Sequence, residues 1–205
     1  MAYFNLSEEE IVEATSMGKP KPSGIYDVKI EFIARYDSPG SDSKGFYIAG
    51  ELEDGFKYDQ YINYQKKDGS ANKFGQVDIN ALFTALELSD TAKPEGPYQL
   101  KMWGSDREGY PIKEASGKVV KMMLRDTEEL GDDGILRNKL IAEGFVCKDG
   151  RTGIEAIKNV PLADAKEVAK WQERIAKNPT KKAKAKPTAK PASTTETAAI
   201  AGWGN

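Results

Sequence analysis

Histidine is absent from this chain of 205 residues, and cysteine occurs once, at Cys147. Without histidine the protein lacks the most common general base and the most common zinc ligand. An internal Ser-His-Asp or Cys-His catalytic site is therefore excluded. One cysteine forms no internal disulfide and makes a structural zinc site improbable. We predict a protein that is not an enzyme and uses no cofactor or metal; the alternative is a carboxylate-based enzyme such as a magnesium-dependent nuclease.

Long apolar segments are also absent. No run of about 18 apolar residues occurs, so no membrane-spanning helix and no membrane partner are expected. The first ten residues have neither the basic region nor the apolar region of a secretory signal. Together with the single cysteine, these features predict a soluble, cytoplasmic protein.

The charge is unevenly distributed along the chain. The formal net charge is -2, but residues 178–205 carry five lysines and one glutamate, which gives +4 there and -6 elsewhere. Lys, Ala, Pro, Ser and Thr dominate this segment, which predicts a disordered basic tail. Its tip holds Ile200 and Trp203, which are either a docking peptide for a protein partner or an uncommitted chain end.

Hydrophobic periodicity divides the rest of the chain into a helix with a linker (1–19) and one β-rich domain (20–177). Ser7 and Glu10 form a capping box, which predicts a helix over about 7–16. Strict alternation predicts a long strand over 25–36. Its buried face would carry Tyr26, Val28, Ile30, Phe32, Ala34 and Tyr36.

The remaining elements follow from turn residues and spacing. Asp54-Gly55 predicts a two-residue turn that joins strands 45–53 and 56–64. Apolar residues at helical spacing, Ile79, Leu82, Phe83 and Leu86, predict a helix over 76–88. The other expected elements are strands over 97–103, 118–125 and 139–147, a glycine-rich loop over about 104–117, and a helix over 165–177 capped by Asp164 with Glu167.

A helix after the third strand is the arrangement of the OB-fold, a five-stranded barrel. We therefore predict an α+β protein that is mainly β: an OB-fold barrel with peripheral N- and C-terminal helices and a disordered tail. A β-sandwich is the alternative, but sandwiches rarely carry an amphipathic helix at this point.

Several segments also resemble a known family. They are Pro22-Ser-Gly-Ile-Tyr-Asp-Val28, the hairpin, Phe74-Gly75 before a helix with Asn80-Ala81-Leu82, and Lys158-Asn159-Val160-Pro161. Over about residues 20–165 the chain is similar to OB-fold single-stranded DNA-binding proteins of tailed bacteriophages. The resemblance implies protection of single-stranded DNA in phage replication or recombination, in the bacterial host cytoplasm. Replication or recombination proteins would be further partners through the tail, although this tail is basic and lacks the acidic end with a terminal Phe that many such proteins carry.

Single-strand binding requires aromatic faces for stacking and cations near phosphates. The aromatic candidates alternate away from an apolar stripe or lie in a loop: Tyr47, Tyr61, Trp103, which would share a face with Lys101, and Tyr110, beside Arg107. The other cationic candidates are Lys66, Lys67 and Lys73 after the third strand, and Lys113 and Lys121 in segment 97–125, whose formal charge is +3. A purely structural role is the alternative, since tyrosines on strands often pack only against their cross-strand neighbours.

The acidic segment Asp126, Glu128, Glu129, Asp132 and Asp133 is interpreted as a solvated turn between two strands. A divalent-metal site is the alternative, but the segment lacks EF-hand spacing. Arg151, in the tight turn after Lys148, is a further possible phosphate contact. The second functional hypothesis is a non-enzymatic structural or assembly protein whose tail docks a protein partner.

Overall fold

The structure, a computed structural model, describes residues 21–130 and 135–182. The predicted helix at 7–16 and the tail tip with Ile200 and Trp203 lie outside this part of the chain. The described strands are β1 (Gly24–Asp37), β2 (Lys44–Leu52), β3 (Lys57–Gln65), β4 (Tyr98–Met102), β5 (Ser105–Pro111), β6 (Val119–Leu130), β7 (Leu136–Val146) and β8 (Thr180–Lys181). The helices are α1 (Lys73–Ala85), α2 (Gly153–Ile157) and α3 (Glu167–Lys177).

The strands form one open sheet that is almost entirely antiparallel. Its order runs β3-β2-β1-β5-β4, and β6 pairs with the first half of β1 and with β7. Only β8 is parallel to its neighbour, β6. The protein is therefore mainly β with few helices, as expected for the α+β class.

A β-bulge in β1 changes which side chains are buried together. The register with β2 runs from Ile30 opposite Gly50 to Phe32 opposite Ala49, so Glu31 is an extra residue. An extra residue shifts the side-chain alternation by one. Val28, Ile30 and Ile33 therefore enter the main core, whereas Phe32, Ala34 and Tyr36 join a second cluster. The prediction that all six alternating residues share one buried face was wrong.

The main core lies between the sheet and α1. Phe46, Ile48, Leu52, Tyr58 and Ile62 of the β2–β3 hairpin contribute to it. The turn itself is one residue longer than expected, because Leu52 N donates to Phe56 O and leaves Glu53 to Gly55 as the loop.

Helix α1 begins at Lys73, three residues before the predicted start. Asn72 caps it, with its side-chain oxygen accepting a hydrogen bond from Gly75 N. The predicted apolar stripe is confirmed, since Ile79 and Leu82 are buried and Phe83 packs against the core.

The C-terminal helix is capped by a residue other than those predicted. Asp164 makes no capping bond to α3; instead the Glu155 carboxylate accepts hydrogen bonds from Lys166 N (2.8 Å) and Glu167 N (3.0 Å). A buried carboxylate that satisfies free N–H groups at a helix start acts as a cap contributed from elsewhere in the chain. The apolar face of α3 is buried against the sheet, because Trp171 and Ile175 pack with Met123 and Val146.

Residues 178–182, which composition assigns to the tail, continue the described domain. Thr180 lies opposite Asp126 in β6, and its hydroxyl donates to the Asp126 carboxylate at 2.8 Å. Ser23 links the two strands, because its hydroxyl accepts from Asp126 N and donates to Pro179 O. Strand β8 is thus part of the sheet, although it lies after the predicted boundary at 177.

The two edges of the sheet approach each other without closing. Gln60 Oε1 of β3 accepts a hydrogen bond from Ala142 N of β7 at 2.7 Å, and Lys139 Nζ lies 3.9 Å from Asp59. Among the described strands no backbone ladder joins β3 and β7. The sheet is therefore strongly curved but open.

Within residues 21–130 and 135–182, no helix is long and apolar enough to span a membrane.

Candidate functional site

Trp103 stands at the tip of a hairpin that the sequence analysis did not predict. The segment 104–117, expected to be a loop, contains β5, which pairs with β4 from Ser105 to Gly109 and with β1 at Tyr110 and Pro111. Trp103 (φ 50°) and Gly104 (φ 74°) both adopt left-handed backbone, as the two central residues of a type I′ turn must. This turn directs the indole away from β4 and over strands β1 to β3.

The indole lies over three tyrosines on the face of the sheet opposite α1. Its ring centroid is 5.2 Å from that of Tyr36, 4.8 Å from Tyr47 and 5.6 Å from Tyr61, each in an edge-to-face arrangement. Tyr47 and Tyr61 are direct cross-strand partners. We call Tyr36, Tyr47, Tyr61 and Trp103 the aromatic face. Trp103 is 40% exposed, whereas Tyr47 beneath it is 4% exposed.

Hydrogen bonds fix the middle of the aromatic face. The Tyr47 hydroxyl donates to Asp59 Oδ2 (3.0 Å) and accepts from Trp103 N (3.2 Å). Burial, with a smaller contribution from Asp59, raises the pKa of Tyr47 to about 12. The phenol therefore remains a neutral donor over the physiological pH range. Burial also raises the pKa of Tyr61.

Arg107 supplies the cation of the aromatic face. Its guanidinium carbon lies 5.1 Å from the Trp103 ring centroid, and Nη1 donates to the Tyr36 hydroxyl at 3.2 Å. Lys101, which was expected to share a face with Trp103, is instead exposed on the other face of the hairpin, because Leu100 and Met102 are the residues of β4 that pack into the second cluster. Left-handed backbone at Trp103 breaks the alternation on which the expectation depended.

The predicted lysines after β3 lie near the aromatic face but outside it. Lys66, Lys67 and Lys73 are exposed. Gln65 Nε2 donates to Asp42 O at 2.7 Å, which joins their loop to loop 38–43. Loop 38–43 in turn borders the Tyr61 hydroxyl through Ser43.

Three other predicted site residues lie elsewhere. Tyr110 belongs to β5 and lies against the Arg35 guanidinium (4.4 Å), on the hairpin face opposite Arg107. Lys113 pairs with Glu95 at 2.5 Å. Lys121 pairs with Asp27 at 3.9 Å, near the start of β1, whereas Tyr36 is near its end. The basic segment 97–125 therefore does not form one continuous cationic surface.

The acidic segment is only partly a turn. Asp126 to Leu130 continue β6, and Asp126 is buried, whereas Asp132 and Asp133 lie outside the described residues. Within the part of the chain that the structure describes, no group of three or more acidic or cysteine side chains could hold a metal ion. The Arg151 guanidinium donates hydrogen bonds to the Asp149 carboxylate and to Val160 O, within its own part of the fold.

Sequence reasoning missed Tyr36 and Phe32 as members of the site, because both were assigned to the core. A signal was present: Phe32, Ile33 and Ala34 are three consecutive apolar residues within an alternating strand, which is typical of a bulge. Phe32 stacks on Tyr47 with ring centroids 5.9 Å apart.

Comparison with known proteins identifies no family for this chain. No protein-family model matches it, and a search of curated proteins finds no significant relative. The function of the chain is therefore inferred from the geometry of the site and from the residues that form it.

Proposed function

We propose that this protein binds single-stranded DNA without sequence preference, through the aromatic face and Arg107. The proposal rests on the setting of Trp103. This large ring is 40% exposed, is held over three tyrosines by the left-handed backbone of its turn, and is contacted by the Arg107 guanidinium. Because every base has a stacking face, exposed aromatic rings beside a cation suit single strands of any sequence. The expected setting is the protection of single strands in phage DNA replication or recombination.

The order of elements supports an OB-fold barrel as the underlying architecture. Three antiparallel strands precede α1, and later strands return to pair with β1 and to approach β3. The aromatic face lies on the surface of strands β1 to β3 that faces away from α1. OB-folds use the outer face of their second and third strands to bind oligonucleotides.

Few cations of the described residues are available to contact phosphates near the aromatic face. Their number predicts how strongly DNA binding depends on salt concentration. Within the described residues, Arg107, Lys66, Lys67 and Lys73 form no salt bridge with a carboxylate. Each phosphate neutralised on a single strand contributes about -0.7 to the slope of log K against log salt concentration. Engagement of these four residues predicts a slope of about -3.

Titration of a labelled oligo(dT), followed by fluorescence anisotropy at several salt concentrations, tests the proposal on the full chain. We expect saturable binding that weakens as salt rises. A variant with Lys184, Lys186 and Lys190 changed to glutamine separates the contribution of the tail from that of the domain. Absence of saturable binding to the wild-type protein at low salt would refute the proposal.

Arg107 and Lys121 provide a matched pair of exposed cations. We expect Arg107→Lys to weaken oligo(dT) binding by roughly 3- to 10-fold, because lysine keeps the charge but loses the planar group that stacks on Trp103. Lys121→Ala should leave the affinity unchanged, since Lys121 pairs with Asp27 away from the aromatic face. The reverse pattern, measured by the same anisotropy titration, would place the phosphate contacts on β6 instead.

A further inference from the structure

Tyr98 is a second exposed aromatic ring on the hairpin that carries Trp103. It is the first residue of β4 and is 45% exposed. Lys113 Nζ lies 5.9 Å from its ring centroid, within the range of a cation–π contact, and is held by Glu95. Tyr98 and Trp103 are thus both exposed rings with an adjacent cation, at opposite ends of one strand.

The position of Tyr98 follows from the alternation of β4. Tyr98 lies on the same face of β4 as Leu100 and Met102, which pack into the second cluster. Trp103 follows Tyr98 by five positions, about 16 Å along a strand. The backbone of Arg107 lies between those of the two residues, because Arg107 is the register partner of Leu100, and its guanidinium contacts Trp103.

The Tyr98 ring lies beside Gly96 and near the Lys113 ammonium, and these contacts leave 45% of the residue exposed. Its cross-strand partner is Gly109, which offers no side chain for a cross-strand contact. A second structural role for an aromatic ring on a strand is to cover the exposed backbone of a glycine on the neighbouring strand. Here the atoms nearest to a side-chain carbon at Gly109 belong to Met102 and Leu100, so those residues already fill the space.

We propose that Tyr98 is a second stacking position for the strand bound at Trp103, with Arg107 contacting the phosphates between them. This inference depends on the proposed single-strand binding. It assigns a path along the hairpin from Trp103 towards Tyr98. A strand must be several nucleotides long to occupy both positions, since the backbone positions of Tyr98 and Trp103 lie at opposite ends of β4.

An oligo(dT) series, from a dinucleotide to about twelve nucleotides, tests the path with the full-length wild-type, Tyr98→Ala and Trp103→Ala proteins. In the wild type we expect affinity to rise with length until the strand spans both rings. In Tyr98→Ala the rise should end at a shorter length, with affinity for the longest strands about 5- to 100-fold weaker. Tyr98→Phe should retain wild-type behaviour, and Tyr98→Leu, which keeps an apolar side chain, should behave like Tyr98→Ala.

The outcomes separate this inference from the proposed function. Wild-type affinity in Tyr98→Ala and Tyr98→Leu at every length, with Trp103→Ala weakened, would overturn the second stacking position alone. Failure of the wild-type protein to bind any strand would overturn the proposed function. Circular dichroism identifies a variant that does not fold, and Tyr98→Leu then decides the result.

Discussion

Replacement of Trp103 by alanine is expected to weaken binding of single-stranded oligo(dT) by about 10- to 100-fold. Base–aromatic stacking contributes about 1–3 kcal/mol per base. Trp103 is the most exposed ring of the aromatic face, and its contacts order Tyr36, Tyr47 and Tyr61 beneath it. The substitution therefore removes the exposed stacking surface and loosens the packing of the three tyrosines beneath it. Anisotropy of a labelled oligonucleotide measures the effect without depending on tryptophan emission.

Two variants control this experiment. Trp103→Phe keeps an aromatic ring and should lose much less affinity than Trp103→Ala. Trp171→Phe changes a tryptophan of α3 that is buried against Met123 of the sheet, so DNA affinity should not change. Equal affinity of Trp103→Ala and the wild-type protein would show that bases do not stack on the aromatic face.

Alternation of polar and apolar residues predicted most strands, because one face of each strand is buried and the other is not. It failed in two places, once at an irregularity of the backbone and once for lack of apolar residues. The bulge at Glu31 moves Tyr36 from the expected core to the functional face. Strand β5, Ser-Asp-Arg-Glu-Gly-Tyr-Pro, contains almost no apolar residue, so only its pairing with β4 identifies it.

The composition of the candidate site was more predictable than its arrangement. Tyr47, Tyr61, Trp103 and Arg107 were expected from residue type and position, and the structure brings these four together. Lys113 and Lys121 were expected on the same grounds but lie elsewhere, in ion pairs with Glu95 and Asp27. The carboxylate partner of a lysine depends on strand register and tertiary contacts, which composition does not reveal.

Replacement of Glu155 by alanine is expected to lower the free energy of unfolding by about 2–4 kcal/mol. The buried carboxylate accepts hydrogen bonds from Thr152 N (2.8 Å), Lys166 N (2.8 Å) and Glu167 N (3.0 Å). Each buried donor left without an acceptor costs about 1–3 kcal/mol, reduced where water can enter. Chemical denaturation measures the change. Glu167→Ala is the matched control: this exposed residue pairs with Lys170 on the surface, so its effect should stay below about 1 kcal/mol.

The same carboxylate predicts a pH dependence of stability. Burial alone would raise the pKa of Glu155, but the hydrogen bonds from Glu167, Thr152 and Lys166 together outweigh burial and lower this pKa below its ordinary value of 4.5. A lowered folded-state pKa contributes stability that is complete above the unfolded pKa and is lost as pH falls through the folded pKa. The stability difference between the wild type and Glu155→Gln should therefore be largest at neutral pH and shrink below about pH 4.5. A difference that stays constant from pH 7 to pH 3 would show that the protonation state of Glu155 does not matter, and that only the shape of the side chain supports the start of α3.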